Sequence, residues 1–242
     1  MRLSDDGQYL LIGLGIGRLK IYKDDGKEFL SFQTISDSSS KVEAVAMAPD
    51  SKTLATGTLD SKIRIYTLLD GAFTLSQTIS ESYNISEVHI SHSHLLYSGH
   101  SNEITFLQRI GPDFEFEQTV STGETRVEEV GISGDFDTLS YGYTSRTLNI
   151  LINANGTFTP EFSYYLGSTI RSVKMDEEGL YYFVIADDQK LHTFYHCPTG
   201  CADCIFPNNC SVCEGDYILK GAYCFPKPTR CVGNVVLKGN VC

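Results

Sequence analysis

Residues 3–36 have the sequence LSDDGQYLLIGLGIGRLKIYKDDGKEFLSFQTIS, and residues 47–80 have the sequence MAPDSKTLATGTLDSKIRIYTLLDGAFTLSQTIS. The two segments superpose without a gap at a shift of 44 residues, which places Gly13 on Gly57. Both end in Gln-Thr-Ile-Ser. A repeat of this period is typical of folds assembled from copies of one small unit. The first part of the chain is therefore predicted to be a repeat fold.

Three looser copies follow, in residues 95–121, 138–166 and 180–196. Short apolar runs rich in β-branched and aromatic residues alternate with Asp-Gly and Pro-Asp-Ser turns, which is the pattern of strands and tight turns. One apolar anchor recurs at intervals of 44, 41, 44 and 43 residues: Tyr22, Tyr66, Leu107, Leu151 and Phe194. Four strands in each unit of about 43 residues are typical of propeller blades. The sequence predicts an all-β fold, a β-propeller of about five visible four-stranded blades, in residues 1–196.

The segment AVAMAPDSKTLATGTLDSKIRIYTL (residues 44–68) resembles the core of a WD repeat, with three strands and two turns. Asp60 stands where that family has a structural aspartate in the turn between the second and third strands, and Asp188 is its counterpart in the last unit. The chain departs from the family: it has no tryptophan, and the family's Gly-His pair is missing from this segment. Other residues replace the aspartate in the remaining units, namely Ile16, Ser101 and Ser145.

The two ends of the repeat region are irregular. By comparison with Val45, the first strand of unit one would start before Met1, and the last unit continues from its third strand (191–195) into HCPTGC without a fourth strand. WD-type rings have about seven blades. We therefore expect the propeller to be incomplete, with upstream sequence or a neighbouring subunit closing the ring. A compact five-bladed ring is the alternative.

All eight cysteines lie in residues 197–242, which predicts a separate cysteine-rich module there. Two pairs with Cys-x-x-Cys spacing, Cys201/Cys204 and Cys210/Cys213, could hold one zinc ion. Only five residues separate the two pairs, which is close spacing for a zinc site.

A second internal repeat favours disulfides. CEGDYILKGAYC (213–224) matches CVGNVVLKGNVC (231–242), and each segment has the pattern of a small hairpin with a cysteine at either end. We predict the bonds Cys213–Cys224 and Cys231–Cys242. A crossed pair, Cys197–Cys204 and Cys201–Cys210, would use the remaining four cysteines, although sequence alone leaves other connectivities open. A segment with so little apolar material needs such bonds for stability.

The segments CPTGCADC (197–204) and CSVCEGDYILKGAYC (210–224) resemble furin-like repeats of the growth-factor-receptor type. Such repeats are common in extracellular receptors and in long surface proteins of single-celled eukaryotes. Paired cysteines imply an oxidising compartment, so we expect the protein to be extracellular or at the cell surface. No signal peptide follows Met1, so we also expect that Met1 is not the biological start. Three acceptor sequences for N-linked glycans fit this location: Asn84, Asn155 and Asn209.

The composition and motifs disfavour several functions. A net charge of −11 without a basic cluster argues against nucleic-acid binding. No stretch reaches the roughly 18 apolar residues of a membrane helix, so we expect no membrane insertion within this segment. We find no nucleophile motif, phosphate loop or calcium loop, and expect no enzyme activity, no cofactor and no metal site. The histidines of residues 89–100 and the paired aspartates are interpreted as surface turns.

These observations predict an extracellular structural, adhesive or assembly protein. Its propeller would form a disc and its cysteine-rich module a connector in a larger surface or filamentous assembly. Its partners would be copies of itself or neighbouring segments of a longer chain. One alternative is a ligand-binding receptor ectodomain, with a binding face formed by Arg18, Asp60, Asn102, Arg146 and Asp188. A second alternative is an intracellular WD scaffold with a zinc-binding tail.

Overall fold

A computed structural model describes most of the chain, namely residues 1–122, 127, 129–142, 146–176, 179–195, 197, 201–206, 209–213, 215, 217–220 and 223–226. Every helix or strand among these residues is a β-strand, and the strands pair in chain order into antiparallel sheets. Five successive sheets form the blades of a β-propeller, as the repeat predicts.

The blades contain consecutive strands of the chain. Blade 1 contains β1 (Arg2–Leu3), β2 (Tyr9–Gly13), β3 (Leu19–Asp24) and β4 (Phe29–Ile35). Blade 2 contains β5 (Val42–Met47), β6 (Thr53–Thr58), β7 (Lys62–Leu69) and β8 (Ala72–Ser80). Blade 3 contains β9 (Ile85–Ile90), β10 (His94–Gly99), β11 (Glu103–Ile110) and β12 (Asp113–Ser121). Blade 4 contains β13 (Glu129–Ile132), β14 (Thr138–Gly142), β15 (Thr147–Ala154) and β16 (Thr157–Tyr165).

Blade 5 has three strands among the described residues: β17 (Ile170–Met175), β18 (Tyr181–Ala186) and β19 (Leu191–Tyr195). Among the described residues this agrees with the prediction that the last unit has no fourth strand. The next described strand along the chain, which begins at Cys201, belongs to the cysteine-rich module.

Alternation along the strands places two apolar faces on each blade, and successive blades bury these faces against each other. Leu11 of blade 1 and Leu54 of blade 2 belong to one buried cluster, and further clusters join blades 2 and 3, 3 and 4, and 4 and 5. The core of the molecule is therefore a series of layers between neighbouring sheets.

Close approach between blades depends on one position near the end of the second strand. A Cβ atom at Gly57 would lie 2.5 Å from Cγ2 of Ile85 in blade 3, and one at Gly142 would lie 2.3 Å from Cγ2 of Ile170 in blade 5. The strand register places Ser98 at this position in blade 3, because Ser98 pairs with Ile104 as Gly57 pairs with Ile63. The sequence alignment, which kept Gly99 in the glycine column, is one residue out here.

The cysteine-rich module contains two hairpins in its described part. The first pairs β20 (Cys201–Phe206) with β21 (Asn209–Cys213), and the second pairs β22 (Tyr217–Lys220) with β23 (Tyr223–Pro226). The second hairpin confirms the prediction of a turn next to Leu-Lys-Gly. The matching hairpin of residues 231–242 lies outside the described residues.

Candidate functional site

The five residues of the predicted binding face lie in corresponding turns. Each belongs to the connection between the second and third strands of its blade, so all five lie at one end of the propeller: Arg18, Asp60, Asn102, Arg146 and Asp188. The side chains of Arg18, Asn102 and Arg146 are exposed, whereas the two aspartates are half-buried. The five turns therefore share a face, but the two aspartates are engaged within their own blades.

Asp60 stabilises its own turn. Nη2 of Arg64 donates a hydrogen bond to Oδ2 of Asp60 at 2.6 Å, and the Thr58 hydroxyl accepts from Nη1 of Arg64 at 2.9 Å and donates to Asp60. The hydrogen bond from Arg64 lowers the pKa of the Asp60 carboxyl. In blade 5, Nε2 of His192 lies 2.9 Å from Oδ2 of Asp188, at the same four-residue spacing. Both aspartates thus hold a turn together.

A small polar cavity lies beside Arg64, between blades 1 and 2. Its volume of about 10 Å³ has room for about one water molecule. Burial raises the pKa of the Tyr66 hydroxyl in its wall, and Asp37 adds to the effect. The polar side chains that line it are Asp37, Ser38, Thr56, Thr58, Arg64 and Tyr66. A space of this size fits a structural water and is too small for an organic ligand.

A charged cluster lies where inner strands of several blades approach one another, and the sequence did not predict it. Oε1 of Glu87 in β9 lies 3.0 Å from Nε2 of His89 and 3.7 Å from Nζ of Lys174 in β17. Burial acts to raise the pKa of Glu87, but the hydrogen bond with His89 and the charges of Lys174 and Arg2 outweigh it, so the pKa is lowered. His89 also contacts the carbonyl oxygen of Val130 in blade 4 at 3.1 Å. The cluster therefore links blades 3, 4 and 5.

The other histidines of residues 89–100 do not belong to the charged cluster of Glu87. Nδ1 of His94 lies 2.9 Å from the Ser93 hydroxyl, and its ring stacks on Phe136 with 5.4 Å between centroids. His92 is exposed in the turn before β10. Within the described part of the chain, one group of potential metal ligands comes together, the sulfur atoms of Cys201, Cys210 and Cys224, within 4.8 Å of one another.

Those sulfur atoms belong to disulfides. Cys201 is bonded to Cys210 and Cys213 to Cys224, which confirms two of the four predicted bonds. All four of these cysteines are oxidised, so none of them has a thiolate that could bind zinc. Cys197 is also disulfide-bonded. The predicted partner Cys204 has a side chain outside the described set, as do Cys231 and Cys242.

The three glycan acceptor sequences differ in their surroundings. Asn155 is exposed in the two-residue turn between β15 and β16, where Asn155 and Gly156 have φ angles of 57° and 84°. Asn84 is half-buried, and its side-chain oxygen accepts a 3.5 Å hydrogen bond from Ser61 of the preceding blade. The Asn209 side chain lies outside the described set. A glycan would meet open space at Asn155 and packed structure at Asn84.

Neighbouring outer strands are joined by glutamines, a feature that the sequence showed only as the repeated Gln-Thr-Ile/Val-Ser. The Gln33 side chain donates to the carbonyl oxygen of Phe73 and accepts from its N–H, both at 2.8 Å. Gln77 grips Phe114 in the same way, at 2.7 and 2.8 Å. Each glutamine side chain thus makes the pair of backbone hydrogen bonds at the start of the next outer strand that a neighbouring strand would make.

Blade 5 presents three exposed apolar side chains that we call the blade 5 surface: Phe183, Ile185 and Leu191. The three side chains are on one side of β18 and β19 and are 39%, 50% and 62% exposed. β19 pairs with β18 on one edge, and no described strand lies along its other edge. Exposed apolar residues beside an open strand edge are typical of a site where another chain adds.

Comparison of the chain with family models and with curated proteins found no match. Among the described residues, no helix is long and apolar enough to cross a membrane. The blade 5 surface, next to the edge of β19, is the candidate site that stands out among the described residues.

Proposed function

We propose that this chain is an extracellular or cell-surface structural protein that assembles through blade 5. Its propeller forms the rigid body, and the disulfide-bonded module that follows β19 forms a connector. The observation that carries the proposal is the exposure of the three apolar side chains of the blade 5 surface. The partners are copies of the chain or neighbouring segments of a longer one.

Three features support this proposal. Disulfides in a small module are typical of proteins of oxidising compartments. The resemblance of the module to furin-like repeats, and of the blades to WD repeats, fits a protein that presents interaction surfaces. Extension of a sheet by an added strand is a common mode of protein association, because the unpaired backbone groups supply affinity and the flanking side chains supply specificity.

Sedimentation velocity of the full chain over a range of concentrations tests the proposal. We expect the unmodified chain to associate and Leu191→Lys to shift it to the monomer, because a charge on the blade 5 surface opposes burial. Ile110→Lys is the matched control, since Ile110 is 52% exposed at the end of β11 in blade 3 and is remote from blade 5. A chain that stays monomeric, or two variants that behave alike, would contradict the proposal.

Peptide mapping without reduction tests the compartment separately. Protein from its native source is expected to yield peptides linked through Cys213 and Cys224 and through Cys201 and Cys210. Alkylation of all the cysteines without reduction, together with co-purifying zinc, would favour an intracellular scaffold instead.

A receptor ectodomain is a second candidate, favoured by the exposed turn residues at one end of the propeller. Arg18, Asn102 and Arg146 are free of the turn-stabilising role of Asp60. An acidic ligand that binds the chain and is lost on Arg18→Ala and Arg146→Ala would support this function over assembly.

A further inference from the structure

Two disulfides of the cysteine-rich module lie directly against each other. We call the bond Cys201–Cys210 the inner disulfide and the bond Cys213–Cys224 the outer disulfide. The Sγ atoms of Cys210 and Cys224 are 3.1 Å apart. Since each of these sulfur atoms is already bonded to another sulfur, this distance is a contact between two disulfides. One sulfur of each bond therefore touches the other bond.

The two disulfides differ in their access to solvent. The side chains of the inner disulfide are buried, with Cys201 7% and Cys210 3% exposed. Those of the outer disulfide are only partly buried and pack against the inner one. Because thiol–disulfide exchange requires access to a disulfide sulfur, a thiol from solution reaches the outer disulfide first.

The strand register brings a second pair of cysteines together. Cys201 of β20 lies directly opposite Cys213 at the end of β21. Opposite residues of antiparallel strands have Cα atoms about 4.5–5.5 Å apart, which lies within the range of roughly 4.4–6.8 Å that a disulfide spans. The backbone of the first hairpin therefore suits a bond between these two residues as well as the bonds that it has.

We propose that the two disulfides form one thiol–disulfide exchange site, at which a small-molecule thiol converts the observed pairing to a second one, Cys201–Cys213 with Cys210–Cys224. The second pairing closes the first hairpin with its own bond and attaches β23 nearer to the start of β21. This inference goes beyond the proposed function, because it gives the connector a second covalent arrangement whether or not the chain assembles.

The exchange takes three steps, each of which forms one sulfur–sulfur bond and breaks another. The thiolate of the small molecule attacks Sγ of Cys213, which forms a mixed disulfide and leaves the electron pair of the broken bond on Cys224. The Cys224 thiolate attacks Sγ of Cys210 and releases Cys201 as a thiolate. The 3.1 Å contact places this second step at the separation of about 3–3.5 Å that suits reacting atoms.

The third step returns the small thiol. The Cys201 thiolate attacks Sγ of Cys213 in the mixed disulfide, forms the bond Cys201–Cys213 and releases the small molecule as a thiolate. The number of disulfides is the same before and after, so the exchange needs no oxidant or reductant and the small thiol acts as a catalyst.

The variant Cys213→Ser isolates the second step, because it leaves Cys224 as a thiol against the inner disulfide. The full chain is incubated without reductant at about pH 8, where part of the thiol is ionised, and is then alkylated and mapped by tandem mass spectrometry. We expect alkylated Cys201 and a peptide linked through Cys210 and Cys224. Alkylation of Cys224 alone, with the inner disulfide retained, would overturn the proposal.

The position of the alkylated cysteine distinguishes directed exchange from scrambling in an unfolded module. Attack at the contacting sulfur should give alkylated Cys201 in about tenfold or greater excess over alkylated Cys210, because exchange depends strongly on the placement of the nucleophile. Similar amounts of the two would indicate scrambling and count against the exchange site. The matched control is Cys224→Ser, whose thiol is Cys213, and it should give no alkylated Cys201.

The parent chain tests the complete exchange. It is incubated with a catalytic amount of glutathione, and acid then stops the reaction, since the thiolate is the nucleophile. We expect new peptides linked through Cys210 and Cys224 and through Cys201 and Cys213. A glutathione adduct that accumulates on the outer disulfide while the inner disulfide stays intact would show that the contact does not transmit exchange, and the inference would be wrong.

Discussion

Replacing Gly57 with alanine tests whether the blades are held together by close contact at one backbone position. The added Cβ atom would lie 2.5 Å from Cγ2 of Ile85 and 3.0 Å from Cγ2 of Val88, both buried in the layer between blades 2 and 3. Overpacking of this kind costs about 1–3 kcal/mol. The same substitution restricts the unfolded chain, which contributes about 0.4–1 kcal/mol in the opposite direction.

Gly15→Ala provides the matched control. Gly15 is exposed, and a Cβ atom there would meet nothing within 4 Å. Because the effect on the unfolded chain is the same kind in both variants, the difference between them isolates the steric cost. We expect Gly57→Ala to melt lower than Gly15→Ala by about 2–12 °C, at roughly 2–4 °C for each kcal/mol in a chain of this size.

Thermal unfolding followed by far-ultraviolet circular dichroism measures this difference, and tyrosine fluorescence gives a second signal because the chain has 14 tyrosines and no tryptophan. Equal melting temperatures for the two variants would refute close packing at Gly57. A stabilised Gly57→Ala protein would refute it more strongly, since only an open position allows the gain from the unfolded state.

Three further predictions concern single side chains. Asp60→Asn should cost about 1.5–3 kcal/mol at neutral pH, because a hydrogen bond to a charged partner is lost. The hydrogen bond from Arg64 lowers the folded pKa of Asp60 below its usual value of 3.8. The stability contributed by the ionised Asp60 is therefore present above pH 3.8 and is lost as the pH falls through the folded pKa. Chemical denaturation at pH 7 and at pH 2 should show the free energies of unfolding of the variant and the parent converging in acid. Tyr182→Phe should raise the melting temperature by about 2–4 °C, since the buried hydroxyl has no hydrogen-bond partner among the described residues and its removal gains about 1 kcal/mol; an unchanged or lower value would indicate a partner. For protein secreted by a eukaryotic host, Asn155→Gln should abolish one N-linked glycan in mass spectrometry and Asn84→Gln should leave the glycan pattern unchanged, and a glycan retained after Asn155→Gln would contradict the assignment.

The repeat predicted the fold because each unit carries its own strands and turns. The turn between β7 and β8 contains Asp70 and Gly71, both at positive φ, and Asp-Gly in a two-residue connection is a strong hairpin signal. The disulfide Cys213–Cys224 was predicted from the repeated segment 213–224, and in the structure it joins the end of β21 to β23 of the next hairpin. The local sequence pattern was sufficient to predict those parts of the structure that depend on residues close together in the chain.

The contacts between blades were not predictable in this way. Gln77 bonds the backbone of Phe114 in the next blade, and it lies beside a register shift between Ile65 and Tyr66 that the sequence does not reveal. Glu87 meets Lys174 because the inner strands of blades 3 and 5 approach each other, which depends on the angle between blades. The repeat length in the sequence predicts the strands of each blade but not the rotation that relates one blade to the next.

The end of blade 5 differs from the four joints before it in a way that bears on its partner. At the position where Gly57 and Gly142 allow a following blade to pack closely, blade 5 has Ile185, half-exposed and β-branched. A blade placed against it at the same spacing would meet a whole side chain where a single Cβ atom already comes within 2.3 Å of its neighbour. The face of β18 is therefore unsuited to one more joint of the same kind.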